Sequence, residues 1–262
     1  NISKCADDMF CRAAKASSMR SILVVPLIKN DKSIGAIACC AKRYAAFSQD
    51  DERELSLFAS QAAVAIENAR LFEEIKTNYL NTMKLLASVI DAKDTYTEDH
   101  SECVMKLALG IADTLGVSER TRSIVKYASL LHDIGKIGID ISILRKPAPL
   151  TKEEWNEMKA HPRSGADIIK KAGFLDDLVP AILYHHVKYS GGGYPVTTKK
   201  RDAIPVEARI LAVADAYEAM TSDRPYRRHL SLDQALAELK RCAGDQFDPK
   251  VVKALLKHLK RK

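Results

Sequence analysis

The stretch from Tyr127 to Lys136, YASLLHDIGK, sets a histidine directly against an aspartate at the end of an apolar helical run. Imidazole and carboxylate hold first-row transition metals, so a His-Asp pair joined by histidines from separate helices can build a metal site. A lone histidine at a helix end is more often structural or solvated. Here five of the seven histidines, His100, His132, His161, His185 and His186, fall within one segment of the chain, and that company favours a metal.

At 262 residues the chain is long for one domain, and two are expected. With 47% apolar and 29% charged residues and no run long enough to span a bilayer, the composition is that of a soluble globular protein. No signal peptide is visible, and the start at Asn1 rather than Met marks an expected piece of a longer protein, which leaves an upstream anchor open. Cys5, Cys11, Cys39, Cys40, Cys103 and Cys242 form no C-x-x-C pair and are expected to be reduced thiols in the cytoplasm. The net charge of +7 is not accompanied by an aromatic-interleaved basic ribbon or a helix-turn-helix pattern, so DNA is not an expected partner. Basic residues thicken between Lys188 and Arg228, which fits an anionic small ligand, and on charge alone fits a solvated surface equally well.

Near the amino terminus, the runs ILVVPLI (22–28) and IGAIACC (34–40) flank the turn-like Lys29-Asn30-Asp31-Lys32 and predict a β-hairpin. Ser48 with Asp51 signals a helix start, and Leu55, Phe58, Ala62, Ala65, Ala69 and Phe72 then recur at steps of three and four. Tyr79, Met83, Leu86 and Ile90 continue the stripe with no Gly or Pro between, predicting a helix that links two halves and offers a seam for a homodimer. The run from about Ser21 to Phe72, with VVPL, IGAI and FASQAAVAIENARLFEE, resembles the carboxy-terminal half of a GAF domain leading into a signalling helix. It is too short for a complete GAF domain, and no ligand residues are assigned to it.

Beyond Asp91 helices alone are expected. One opens at His100 and ends at Gly116, and the next runs from about Glu119 to His132. Thr151 with Glu154 caps a short one that ends near His161-Pro162, and another runs from Asp177 into His185-His186. Pro205 opens a long helix through Asp215 to Met220, Ser231 with Gln234 caps the next, and Asp248 starts the last. Adjacent histidines on a helix point about 100° apart, so on periodicity alone one of His185 and His186 faces the core and the other solvent.

In order, the chain carries TEDHS around His100, LLHDIGKIG around His132, HP at His161, HH at His185, GGGYP from Gly191 to Pro195, and VADAYEAMTSDRPYR from Val213. Together these resemble an HD-GYP domain, over roughly Thr82 to Lys262. The resemblance implies a mainly α fold, an all-helical HD-type metal-binding bundle preceded by a partial α+β GAF segment and a long linker helix. The boundaries expected are 1–72 for the sensor segment, 73–94 for the linker and 95–262 for the catalytic domain. It implies His132, Asp133, His161, His185, His186 and Asp215 as metal ligands, Asp133 as the bridge between two ions, and His100 as a further ligand. Two divalent transition metals are implied, and the His-rich shell suits iron or manganese. Asp133 and Lys136 are the implied catalytic residues, and Lys136, Tyr194, Arg224 and Arg227 the implied substrate contacts.

The implied reaction is hydrolysis of cyclic di-GMP to pGpG by a metal-bridging hydroxide, with a second cut to GMP left open. Three positions depart from the family pattern. Val187 and Ser190 stand where a glutamate and an aspartate are common, and Tyr96 occupies the place of a carboxylate that members use for a third metal. A non-catalytic cyclic-dinucleotide receptor, and an HD hydrolase of another nucleotide such as cyclic GMP-AMP, are the alternative readings.

Overall fold

The computed structural model describes residues 19–94, 99–222 and 229–260. The chain divides into two compact units, Asn1–Asn78 and Tyr79–Lys262.

In the first unit β1 (Ser21–Lys29) and β2 (Lys32–Ala41) pair antiparallel, as the flanking runs predict. Asn30 and Asp31 between them take φ of 48° and 59°. A two-residue turn that matches strand twist needs such a left-handed pair, and Asn and Asp tolerate it better than most side chains. Alternation along β1 turns Val25 and Leu27 inward and leaves Val24 and Ile28 outside. The inward pair rests on Ala59 and Ala63 of helix α1 (Gln49–Lys93). Ser48 starts that helix reciprocally, its Oγ accepting from the Asp51 N–H while Asp51 Oδ2 accepts from the Ser48 N–H.

The packed face of α1 differs in part from the sequence expectation, since Leu55 and Ala62 of the expected stripe do pack on this cluster and the rest do not. Phe58 and Phe72 are 64% and 65% exposed, and Ala65 and Ala69 are exposed as well. Two methyl side chains, Ala59 and Ala63, let the sheet lie close to the helix where a phenylalanine would hold it away. In the second unit the same helix buries Met83, Ala87 and Ile90, while Leu86 stays outside.

The second unit is built from helices. After α1 come α2 (His100–Leu115), α3 (Glu119–Leu131), a 3-10 turn (Ile134–Gly138), α4 (Ile141–Leu144) and α5 (Lys152–Met158). They continue with α6 (His161–Lys171), α7 (Val179–Tyr184), α8 (Val206–Thr221), α9 (Leu232–Arg241) and α10 (Pro249–Leu259). The capping boxes at Thr151 and Ser231 form as their sequences predict, and Asp248 accepts from the Lys250 N–H to start α10. His161-Pro162, expected to close a helix, instead opens α6, where a proline at the first turn gives up no hydrogen bond.

Helix α8 is the centre. It packs against α2, α3, α7, α9 and α10 and buries Ala208, Ile210, Leu211, Val213, Ala214 and Tyr217, which lie around much of its circumference. A helix apolar on so many sides belongs in a core, so Asp215 and Glu218 on it need partners. The 3-10 turn meets α6 backbone to backbone: a Cβ at Gly135 would stand 2.0 Å from the His161 carbonyl oxygen and 2.6 Å from Gly165 N. Among the described residues no helix is long and apolar enough to cross a membrane.

Leu211 has no exposed surface. Leu211→Ala is expected to lower unfolding free energy by about 2–5 kcal/mol, read from the urea midpoint; a loss below about 1 kcal/mol would contradict the central placement of α8.

Candidate metal centre

The site forms where the ends of α2, α3, α6 and α7 converge, with Asp215 of α8 beside His100 and His132. The buried apolar run of α3 delivers His132 and Asp133 at its carboxyl end, α2 opens with His100, α6 opens with His161, and α7 stops at Tyr184 just before His185 and His186. Because the paired histidines lie in a turn rather than on a helix, the 100° separation expected of them does not hold. Their rings lie 4.0 Å apart between centroids, and both approach His161.

Three rings are oriented by the same device. His132 Nδ1 lies 2.8 Å from Ser129 O, His161 Nδ1 2.8 Å from Met158 O, and His185 Nδ1 2.6 Å from Ile182 O. A carbonyl oxygen only accepts, so each Nδ1 carries the hydrogen and each Nε2 keeps its lone pair. His161 Nε2 and His185 Nε2 then face each other at 3.5 Å. Two lone pairs at that distance repel unless a cation lies between them. His132 Nε2 is buried with no hydrogen-bond partner among the described residues. This donor set fits a metal.

Two groups place their ligand atoms within 4.8 Å of one another, His161 with His185 and His186, and His100 with His132 and Asp215. Asp133 stands between them, Oδ1 3.3 Å from His161 Nε2 and Oδ2 3.6 Å from His132 Nε2. Burial pushes the His185 and His186 imidazoles well below their ordinary range, with neighbouring histidines adding to the effect, and it lowers His161 as well. These three are therefore neutral, the form that ligates. Burial alone would raise Asp133, but the Lys136 ammonium, with the His132 and His161 rings, outweighs it and holds the carboxyl well below the usual range. Asp215 is lowered despite burial by His132 and His100.

Beyond these atoms lies a supporting layer. Glu218 Oε2 accepts from His100 Nδ1 at 2.5 Å, while its Oε1 accepts from Ser222 Oγ at 2.6 Å. Burial alone would lower His100, but this bond together with the charges of Asp215, Glu218 and Asp133 outweighs it and raises the imidazole. Lys136, which a sequence alone would leave in solvent, is buried with Nζ 2.6 Å from Asp133 Oδ2 and 2.8 Å from Asp94 Oδ2. The neighbouring Lys93, in the last turn of α1, donates Nζ to the carbonyls of Lys136, Ile137 and Ile139. Asp91 accepts from Ser101 N and Oγ beside His100.

The glycine loop closes one side. A Cβ at Gly193 (φ 83°) would stand 2.3 Å from the His186 carbonyl oxygen, so only glycine allows this approach. Tyr194 follows with its ring 4.6 Å from His186. Val187 is buried against Ile204 and Ala208, and Ser190 donates to Asp245 Oδ1 at 2.6 Å, so both departures from the expected acidic residues have structural partners. A cleft of about 300 Å³ opens between this loop, Asp215, Gln246 and Phe247.

The structure thus brings together His100, His132, Asp133, His161, His185, His186 and Asp215, with Lys136 and Tyr194 beside them. Arg224, Arg227 and Tyr96 lie outside the described residues. Sequence reasoning missed Glu218, Asp94 and Lys93. Glu218 had a signal, since it sits one turn after Asp215 on the same apolar helix; Lys93 and Asp94 had none.

A family model described as an HD domain matches residues 83–251. The chain belongs to the HD-domain family. A GAF-domain model matches residues 6–67, in agreement with the GAF resemblance of that segment. The cyclic di-GMP phosphodiesterase response regulator RpfG of Xanthomonas campestris is 39% identical over 209 residues, 78% of this chain and 55% of that protein. A Vibrio cholerae 3'3'-cGAMP-specific phosphodiesterase 2 is 31% identical over 221 residues, 82% of this chain and 42% of that one. The chain spans about half the length of these relatives. The solved V. cholerae cyclic GMP-AMP specific phosphodiesterase V-cGAP3 superposes with a TM-score of 0.54 at 20% identity, covering 68% of this chain and 48% of that one, a likeness of fold.

Second-layer partners of this kind are typically worth 10–100-fold in metal affinity. Asp94→Asn is expected to weaken manganese binding by roughly that factor in isothermal titration without loss of helicity; unchanged affinity would remove Asp94 from the supporting layer.

The neutral histidines also set a pH dependence. Below about pH 6.5 the histidines of the unfolded chain take protons that His161, His185 and His186 refuse when folded, so stability falls as pH falls. His100, raised, opposes them. The urea midpoint of chelator-treated protein is expected to drop between about pH 7.5 and 5.5; a midpoint that rises on acidification would contradict it.

Proposed function

We propose that this chain is a metal-dependent phosphodiesterase that hydrolyses cyclic di-GMP to linear pGpG. The observation that carries the reading is Asp133, one oxygen toward each of two histidine-rich groups. A carboxylate so placed suits two cations at the about 3.5–4 Å spacing used in phosphodiester chemistry. The name of RpfG supports this substrate, and that of the Vibrio phosphodiesterase supports a second reading in which 3'3'-cGAMP is cleaved.

His100, His132 and Asp215 would hold one ion, His161, His185 and His186 the other, and Asp133 both. Iron or manganese suits so many imidazoles. When bound, the ions supply Lewis acidity toward phosphate oxygens and lower the pKa of a ligand water. The chain's own residues do the rest. Carbonyl-bound Nδ1–H groups keep each Nε2 aimed inward, Lys136 keeps Asp133 ionised, and the Gly191–Tyr194 loop walls off one side of the cleft. Arg224 and Arg227 are proposed to grip phosphate through forked guanidinium donors, and Tyr194 to contact the nucleotide. The exposed stripe of Phe58, Ala65, Ala69 and Phe72 on α1 is proposed as the seam of a homodimer. Its cysteine usage suits the cytoplasm.

Anaerobic incubation of manganese- or iron-loaded protein with cyclic di-GMP, followed by chromatography, is expected to yield pGpG, and His132→Ala and Asp133→Ala to lose activity by on the order of 100-fold or more. Bound metal and bound dinucleotide without product would replace the enzyme with a receptor. Product from 3'3'-cGAMP alone would move the substrate to the second reading.

A further inference from the structure

Trp155 is the chain's one tryptophan, and it is not in the core. It lies on α5, a short helix with little freedom. Thr151 and Glu154 close a capping box, Lys146 Nζ binds both Glu154 oxygens at 2.7 and 2.8 Å, and the Met158 carbonyl at its far end receives His161 Nδ1. Trp155 is therefore fixed, through three residues of helix, to a ring of the metal centre. Its ring meets Tyr194 edge to face, centroids 6.2 Å apart at 74°, and Tyr194 in turn lies against His186 at 4.6 Å and His161 at 6.1 Å. Two aromatic steps, through Tyr194, thus join the indole to the histidines. Lys159 places its ammonium 5.5 Å from the Trp155 centroid, and 43% of the residue still faces solvent.

An indole on so anchored a helix, with a cation and one aromatic ring as neighbours and 43% exposed, contributes little to a core. Its exposed surface lies one ring beyond Tyr194 from the histidines, and a planar base gains by stacking on an indole. We propose that Trp155 is a stacking platform for a purine base of the cyclic dinucleotide, with Lys159 beside it facing the ligand's negative charge. This rests on the phosphodiesterase reading for the nature of the ligand. Stacking tolerates any purine, so the platform holds the nucleotide without choosing between guanine and adenine.

Because no other tryptophan contributes, the emission of Trp155 reports binding directly. Titration of chelator-treated protein with cyclic di-GMP is expected to quench it saturably. By calorimetry, Trp155→Ala is expected to weaken the dinucleotide by about 5- to 150-fold, with Trp155→Phe retaining most of the affinity. In manganese-loaded protein the alanine variant should raise KM for the dinucleotide by a similar factor, kcat holding, and leave cleavage of bis(4-nitrophenyl) phosphate, a diester with no purine, unchanged. Equal losses on both diesters would make Trp155 merely structural and overturn the proposal, as would affinity unchanged in Trp155→Ala. Quenching and weakened binding without any turnover would sink the enzyme and leave the platform standing. Failure of the parent to bind or cleave the dinucleotide in either the chelator-treated or the manganese-loaded form would sink both.

Discussion

A carbonyl oxygen three residues upstream holds each of His132, His161 and His185 by its Nδ1. Everything at the centre depends on that choice of nitrogen. With the hydrogen fixed on the side facing the backbone, the other nitrogen of each ring points inward bearing a lone pair, and the pocket fills with acceptors. It is helix termination that supplies the arrangement, since the last carbonyls of a helix lack partners within it. His132 and His185 follow directly on the ends of α3 and α7 and take up carbonyls left there, and His161 does the same for α5.

Around this core of acceptors the charges are layered. Asp133 and Asp215 remain ionised although buried, because Lys136 and the imidazoles face them. Glu218 carries a further negative charge behind His100, and Asp94 carries one behind Lys136. Desolvating so many ionic groups would destabilise an ordinary core. It is tolerable here because every charge meets an opposite charge or a ligating atom, and because the central helix α8 is clamped by apolar contacts on its other sides.

The side chains that gather at the centre, His100, His132, Asp133, His161, His185, His186 and Asp215, were named from the sequence through the HD-GYP resemblance, whose separated motifs carry them, and no packing detail was needed for that. The caps at Ser48, Thr151, Ser231 and Asp248 were equally plain, being local. What escaped was tertiary. Which stripe of α1 is buried depends on how near the hairpin lies, so Ala59 and Ala63 displaced the bulkier Phe58 and Phe72. The start of α6 at His161 hid behind a proline that marks helix openings as readily as endings. The bonds of Lys93 and Asp94 cross more than forty residues to the 3-10 turn, and no periodicity announces them.

Lys93, which ends α1, and Asp94, which follows it, anchor that helix end to the turn. Successive side chains leave a helix about 100° apart, and here both of the final pair are engaged, Lys93 by three carbonyl oxygens of the turn and Asp94 by the ammonium that faces Asp133. Turning the helix about its own axis by one residue's angle would withdraw both at once, loosening the turn and leaving Lys136 to Asp133 without its counterweight. The helix end is a key with two teeth. What these two bonds fix is the angular phase of the helix end against the turn.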